Sequence, residues 1–197
     1  VELTVRDLPL SAWLYLGLLA AVGFLRLREM RVSRGRQRAM AARGVARAAE
    51  PGFVLMVLLH TGVLVASAVE VIALRRPFVP AIAIPALALL AGATALRWWV
   101  IATLGPHWNV QVMRSTGLGV VTSGPYRFVR HPNYVAVFVE LAVLPLVHGA
   151  WVTALVGSAL HVAVLRRRIA LEESVLMADE GYRKAMGPKP RFIPGLS

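Results

Sequence analysis

The chain has 197 residues, a formal net charge of +12, no cysteine and a mean hydropathy of +0.64, and 57% of its residues are hydrophobic. That is too apolar for an ordinary soluble domain and fits a polytopic membrane protein. The missing cysteines exclude disulfides, thiolate-bound metals and cysteine nucleophiles. The basic residues stand at the ends of apolar runs, where they orient membrane helices rather than bind nucleic acid.

Residues 8–27 are the first apolar run, long enough for a helix of about 30 Å that crosses the hydrocarbon core. An arginine-rich loop follows, so the run reads as an anchor and not a cleaved signal. That loop, residues 26–51, carries Arg26, Arg28, Arg31, Arg34, Arg36, Arg38, Arg43 and Arg47 against only Glu29 and Glu50. By the positive-inside rule it lies in the cytoplasm, partly helical on the membrane surface, with the N-terminus outside. The preference for arginine over lysine suggests a GC-rich bacterial genome, hence a bacterial inner membrane.

Residues 52–74 form a second span, and Arg75-Arg76-Pro77 a tight external turn. The third span covers 78–104, interrupted by Pro80 and Pro85. Near its inner end, Arg97, Trp98 and Trp99 read either as an aromatic belt with a snorkelling arginine or as contacts to a substrate. Residues 105–130 are a long connection. In it, Trp108-Asn109-Val110-Gln111-Val112-Met113 alternates with period two, and Val120-Val121-Thr122 follows Gly117 and Gly119. This pattern predicts a small hairpin or a pair of extended strands under the membrane. Residues 132–147 and 151–165 are short fourth and fifth spans, a tight helical hairpin whose second helix continues to about residue 177. The expected fold is all-α with about five spans. Segment 1–104 supplies three helices, and 105–197 supplies the catalytic region of one integrated domain.

The densest polar stretch is Gly124-Pro125-Tyr126-Arg127-Phe128-Val129-Arg130-His131-Pro132-Asn133-Tyr134. Pro132 suits the first turn of a helix, where a missing N–H breaks no bond. The cluster therefore stands at the mouth of a helix, whose free N–H groups favour an anion. A basic loop gripping lipid headgroups is the plainer reading, but the proline-framed mixture of residue types favours a binding site. Downstream, Arg168 and Glu172 share a helix face, as do Ile169 and Glu173. Pro190-Arg191-Phe192-Ile193-Pro194 forms a rigid tail suited to covering a cofactor. His60, Glu70, Glu140 and His161 interrupt apolar runs, and such groups face a bundle interior or a cavity. Structural roles are favoured for His60 and Glu70. Glu140 lies about two turns beyond Pro132. It either lines an acceptor cavity or pairs with Arg97 or His161. No Rossmann glycine motif, P-loop, zincin or nucleophile-elbow motif occurs, and the five histidines lack metal-ligand spacing.

Taken together, Gly124-Pro125-Tyr126, Arg130-His131-Pro132-x-Tyr134, Glu172-Glu173 and Arg191-Phe192-Ile193-Pro194 resemble the isoprenylcysteine carboxyl methyltransferase family and the related membrane phospholipid methyltransferases. The resemblance runs from about residue 96 to 195. It implies an integral membrane enzyme that uses S-adenosylmethionine (SAM), bound in a cytoplasmic pocket under the C-terminal segment. Carried over, it makes Val121, Gly124, Pro125, Tyr126, Arg130, His131, Pro132, Tyr134, Glu172 and Glu173 the cofactor-binding set. Arg130, Arg168 and Glu172 are the expected catalytic residues, and Trp98, Trp99 and Glu140 the expected acceptor contacts. Asn133-Tyr134-Val135-Ala136 departs from relatives that carry a glycine shortly after the tyrosine. The acceptor would be lipophilic: a prenylcysteine-like carboxylate, a lipid amine or a phenol. Methyl transfer from a sulfonium needs no metal and no covalent enzyme intermediate, so positioning and electrostatics carry it. An NADPH-dependent membrane reductase and a non-catalytic lipid-binding scaffold are the alternatives.

Overall fold

A computed structural model describes residues 8–45, 48–113 and 119–195. Six helices follow in order: α1 Leu10–Ala41, α2 Phe53–Ala73, α3 Pro80–Leu104, α4 Pro132–Val143, α5 Trp151–Leu176 and α6 Glu180–Met186. Short 3-10 turns cover Gly105–His107, Gly124–Arg127 and Pro145–His148. The arrangement is all-helical, as the apolar runs predict.

Three helical stretches, Leu10–Ala41, Phe53–Ala73 and Pro80–His107, are long and apolar enough to cross a membrane. Their outward faces carry Leu14, Phe24, Leu58, Val65, Ile84 and Leu89, all exposed and suited to lipid. The chain is an integral membrane protein on this evidence. The expected fourth and fifth spans are not of that kind. Helix α4 has 12 residues, about 18 Å, and stops before Pro145, whose ring cannot continue the ladder. Helix α5 has 26 residues, but from Arg166 onwards it carries Arg166, Arg167, Arg168, Glu172 and Glu173.

The arginine-rich segment differs most from the sequence expectation. Helix α1 does not end near residue 27 but continues to Ala41, 32 residues and about 48 Å in all. Arginine and alanine are good helix formers. Every third or fourth residue of this extension also finds a partner: Arg26, Glu29, Ser33, Arg36 and Met40 all turn inward. Arg28, Arg31, Arg34 and Arg38 take the opposite, exposed face.

Helix α3 is the packing spine. Ala83, Ala86, Leu90, Ala93, Arg97 and Val100 repeat at three- and four-residue spacing and are buried. The small residues let α4 approach closely, as alanine does in membrane bundles. At the end far from the polar motif, the core joins Tyr15 and Leu19 of α1 to Val71, Leu90, Val143 and Val147. There Glu70 of α2 caps α5 from outside the helix. It accepts bonds from the Val152 and Thr153 amides at 3.2 and 2.7 Å and pairs with Arg76 at 2.8 Å. A carboxylate on the unpaired N–H groups of a helix start is worth about 1 kcal/mol. His60 bonds to the Met56 carbonyl at 2.7 Å and meets His161 edge-on. Glu70 and His60 are therefore engaged in holding helices.

The hairpin expected over 108–122 is absent from the described residues. Residues 114–118 lie outside them. Val112 instead accepts a bond from the Ala48 amide at 3.0 Å, and its own amide donates to Glu50 at 3.3 Å. Among the described residues the connection thus pairs with the α1–α2 loop.

Candidate functional site

The polar motif assembles where α4 begins. Pro132 occupies the first helical position of α4, as its fixed φ predicts. Just before it, the Gly124–Arg127 turn lies against α3. Gly124 has φ 55°, and a Cβ there would collide with the Thr103 side chain, so only glycine fits. Residues 130 and 131 bond along the tail: the Arg130 amide donates to the Pro190 carbonyl and the His131 amide to the Arg191 carbonyl, both at 2.9 Å. Lys189 reaches the Tyr126 carbonyl at 2.7 Å, and the Phe192 ring lies 6.1 Å from the His131 ring. The tail segment therefore packs against the motif.

Glu173 anchors that packing. It accepts from Arg191 Nη2 at 2.7 Å and from His131 Nε2 at 3.1 Å, and Arg130 Nη1 lies 3.3 Å away. Burial opposes its ionisation, but the hydrogen bonds from Arg191 and His131, with the charge of Arg130, outweigh burial and hold the carboxyl at about 2. Because the folded value lies below the unfolded one, this attachment contributes in full above the ordinary glutamate range. It is lost as pH falls from about 4.5 towards about 2. The protection factors of the Arg130 and His131 amides, which donate to the tail carbonyls, should fall across that interval in the native protein. They should be low throughout it in Glu173→Gln.

A cavity of about 170 Å³ opens beside the motif. Its polar wall is Arg130, His131, Asn133, Tyr134, Arg168 and Glu172. Tyr126, Trp108 and Tyr182 supply aromatic surface, and Met40, Met113 and Met186 close the apolar side. Burial first and the nearby Glu172 charge second push the Tyr126 and Tyr182 hydroxyls above their ordinary value, so both stay protonated. Val121 is on the rim. Of the expected set, Gly124, Pro125, Pro132 and Glu173 stand behind this wall as its supports.

Arg168 is the hub. Its Nε donates to the Tyr134 hydroxyl at 2.9 Å and its Nη1 to Glu50 Oε1 at 2.5 Å, and its Nη2 donates to the Val110 carbonyl. The Tyr134 hydroxyl donates in turn to Glu172. One guanidinium thus ties α5, α4, the long connection and the α1–α2 loop. Glu50 is only 4% exposed at its side chain. It was legible in the sequence only as a countercharge. Asn133, Trp108 and Tyr182 also escaped the sequence reading. Asn133 fills the variable position of its motif, and the other two lie outside the motifs.

The expected acceptor residues stand apart from this cavity. Trp98 and Trp99 are 61% and 47% exposed on α3. Glu140 is buried and bonded to Arg26 at 2.8 Å and to Thr94 at 3.2 Å, so its partner is neither Arg97 nor His161. Arg97 does not snorkel: it is 7% exposed and paired with Glu29 at 2.6 Å. Among the described residues, no cluster of His, Cys, Asp or Glu has the makings of a metal site.

Two buried atoms of cavity-lining residues have no hydrogen-bond partner among the described residues. One is a donor, Arg130 Nε, and the other an acceptor, Asn133 Oδ1.

A helical membrane protein with a polar cavity at a helix mouth is the class that fold and site define. Residues 86–178 match the isoprenylcysteine carboxyl methyltransferase (ICMT) family. It is similar to the uncharacterized protein YpbQ of Bacillus subtilis strain 168, 27% identical over 83% of this chain and 95% of that one. An uncharacterized protein of Haemophilus influenzae strain Rd is 28% identical over 80% of this chain and 91% of its own length. Among solved structures, the fold resembles a eukaryotic intramembrane Ras methyltransferase, ICMT, with TM-score 0.52 and 23% identity over 73% of this chain. The match spans 54% of that longer protein, so the chain covers about half of its length. Neither comparison favours the reductase alternative.

Proposed function

We propose that the protein is a membrane methyltransferase that takes a methyl group from SAM and delivers it to a lipophilic acceptor. The observation that carries this reading is the cavity at the mouth of α4, where the motif residues Arg130, His131, Tyr134 and Glu172 meet on one wall. The match of residues 86–178 to the ICMT family supports the same class.

The residues present suit such a donor. A purine needs flat apolar surface, which Tyr126, Trp108 and Tyr182 offer. An amino-acid end needs both a donor and an acceptor of hydrogen bonds, and the Arg130 and Glu172 side chains on the wall offer one of each. When bound, SAM would supply an activated methyl on a sulfonium. The protein's part is then to bind and orient. Tyr134, fixed between Arg168 and Glu172, holds one wall rigid. The tail, held by Glu173 and by backbone bonds to residues 130 and 131, braces that wall from behind. A carboxylate acceptor is already ionised at pH 7 and needs no base. An amine or phenol acceptor needs one, and Glu172 on the cavity wall is the residue for it.

The exposed Arg28, Arg31, Arg34 and Arg38 lie on the C-terminal extension of α1, whose Met40 lines the cavity, and by the positive-inside rule that end faces the cytoplasm. The polar donor would then enter from water, and the acceptor sideways from the bilayer past Trp98 and Trp99. The test is transfer of labelled methyl from SAM into a lipid extract of the host membrane. Label in an organic-soluble product supports the reading, with the acceptor type read from base lability of the product. No label above that of Glu172→Ala counts against it.

A further inference from the structure

Arg168 and Glu172 lie four residues apart on α5, the spacing at which opposite charges pair along a helix. Among the described residues they do not pair. The Arg168 guanidinium turns away instead: Nη1 meets Glu50 Oε1 at 2.5 Å and the Met56 sulfur at 3.0 Å, Nη2 donates to the Val110 carbonyl, and Nε donates to the Tyr134 hydroxyl at 2.9 Å. Glu172 is left with one hydrogen bond among the described residues, the one its Oε2 accepts from Tyr134, and its side chain lines the cavity. Local structure puts Glu50 in reach of Arg168. It precedes Pro51-Gly52 at the start of α2, and its carbonyl accepts from the Phe53 amide at 3.1 Å. Its second carboxylate oxygen accepts from the Val112 amide at 3.3 Å. The carboxylate is thus fixed by α2 on one side and by the long connection on the other. Glu50 lies outside residues 86–178, so the family match does not mark it. A buried ion pair contributes little net stability over an apolar pair of similar volume. What this one contributes is a choice of partner for Arg168.

We infer that Glu50 is a positioning residue for the cavity: it takes the Arg168 guanidinium and so keeps the Glu172 carboxylate free for the ligand. The inference rests on the methyl-donor reading. Tyr134 carries the effect across the wall. Its hydroxyl has one hydrogen, and Arg168 Nε already donates to its oxygen, so that hydrogen is left for Glu172. With Glu50 in place, Glu172 meets a neutral hydroxyl and no cation at hydrogen-bond distance among the described residues. Without it, the Arg168 charge has one carboxylate within a helical turn, and that carboxylate is Glu172. The pair would form, and the wall would lose its free carboxylate.

The test is calorimetry with S-adenosylhomocysteine on the full-length protein in detergent, with thermal unfolding measured alongside. Glu50→Gln keeps the shape and removes the charge. It should weaken S-adenosylhomocysteine by about tenfold, the scale of a lost hydrogen bond to an ionised group. Its unfolding midpoint should fall by only a few degrees, because Arg168 finds Glu172. Glu50→Asp is smaller but keeps the charge, and should stay within about threefold of the native affinity. A packing role predicts the reverse order, and a Glu50→Asp as weak as Glu50→Gln or weaker would overturn the proposal. Native affinity in Glu50→Gln would overturn it too. So would a Glu50→Gln as unstable as Arg168→Met, since Arg168 would then have found no second partner. A native protein that does not bind S-adenosylhomocysteine would defeat the methyl-donor reading itself, and this inference with it.

Discussion

Arg168→Met is expected to lower stability by about 3–5 kcal/mol, the cost of leaving a buried charge without its partner. The partner is Glu50, which keeps only the Val112 amide at 3.3 Å once the guanidinium is gone. Three further attachments disappear at once: the Tyr134 hydroxyl, the Val110 carbonyl and the Met56 sulfur. The loss therefore reaches the cavity as well as the fold. Thermal unfolding in detergent should show a markedly lower midpoint, and donor binding should be weak even where the protein is folded. Adding Glu50→Gln to Arg168→Met should recover part of the stability, because it removes the orphaned charge. A double variant as unstable as the sum of the two singles would show that the pair is not coupled.

Glu172→Ala is expected to behave in the opposite way, with a large loss of binding and a small loss of stability. The Glu172 side chain is 26% exposed and lies on the cavity wall. Its one described hydrogen bond is the one it accepts from the Tyr134 hydroxyl, and Arg168 remains bonded to that hydroxyl without it. A lost contact to an ionised ligand group costs about 1.5–3 kcal/mol, which is a loss of about tenfold to a hundredfold in affinity for S-adenosylhomocysteine. The unfolding midpoint should move by only a few degrees. His131→Ala should lose affinity too, but it also frees Glu173 and so should loosen the tail. The pair of variants separates a wall residue that meets the ligand from one that also holds the tail.

What the sequence made legible follows from local rules. Pro132 announces the start of α4, and the four-residue spacing of Arg168 and Glu172 puts both on the face that meets Tyr134. The tail motif, framed by prolines, packs against the mouth of α4 through the Arg130 and His131 amides and the Phe192 ring. What remained hidden depends on contacts between distant segments. Glu50 and Arg168 are 118 residues apart, and nothing local to either marks the pair. The circuit of Arg26, Glu29, Arg97 and Glu140 draws on three helices, and only its Arg26–Glu29 step has a helical spacing. The alternation over 108–113 read as strand because period two is a strand signal. Its partner is the backbone at Ala48 and the Glu50 carboxylate, a pairing that requires the fold. The apolar run that ends at residue 147 read as one span because Pro145 at a run's end resembles a loop. In the fold it stops α4 after 12 residues.

The most direct measurement is calorimetric titration of the detergent-purified protein with S-adenosylhomocysteine, with NADPH titrated in parallel and Glu172→Ala as the control. Saturable binding of S-adenosylhomocysteine by the native protein, at least tenfold weaker in Glu172→Ala, with no heat from NADPH, is the predicted result. Saturable NADPH binding with none for S-adenosylhomocysteine would contradict the account and make the cavity that of a reductase.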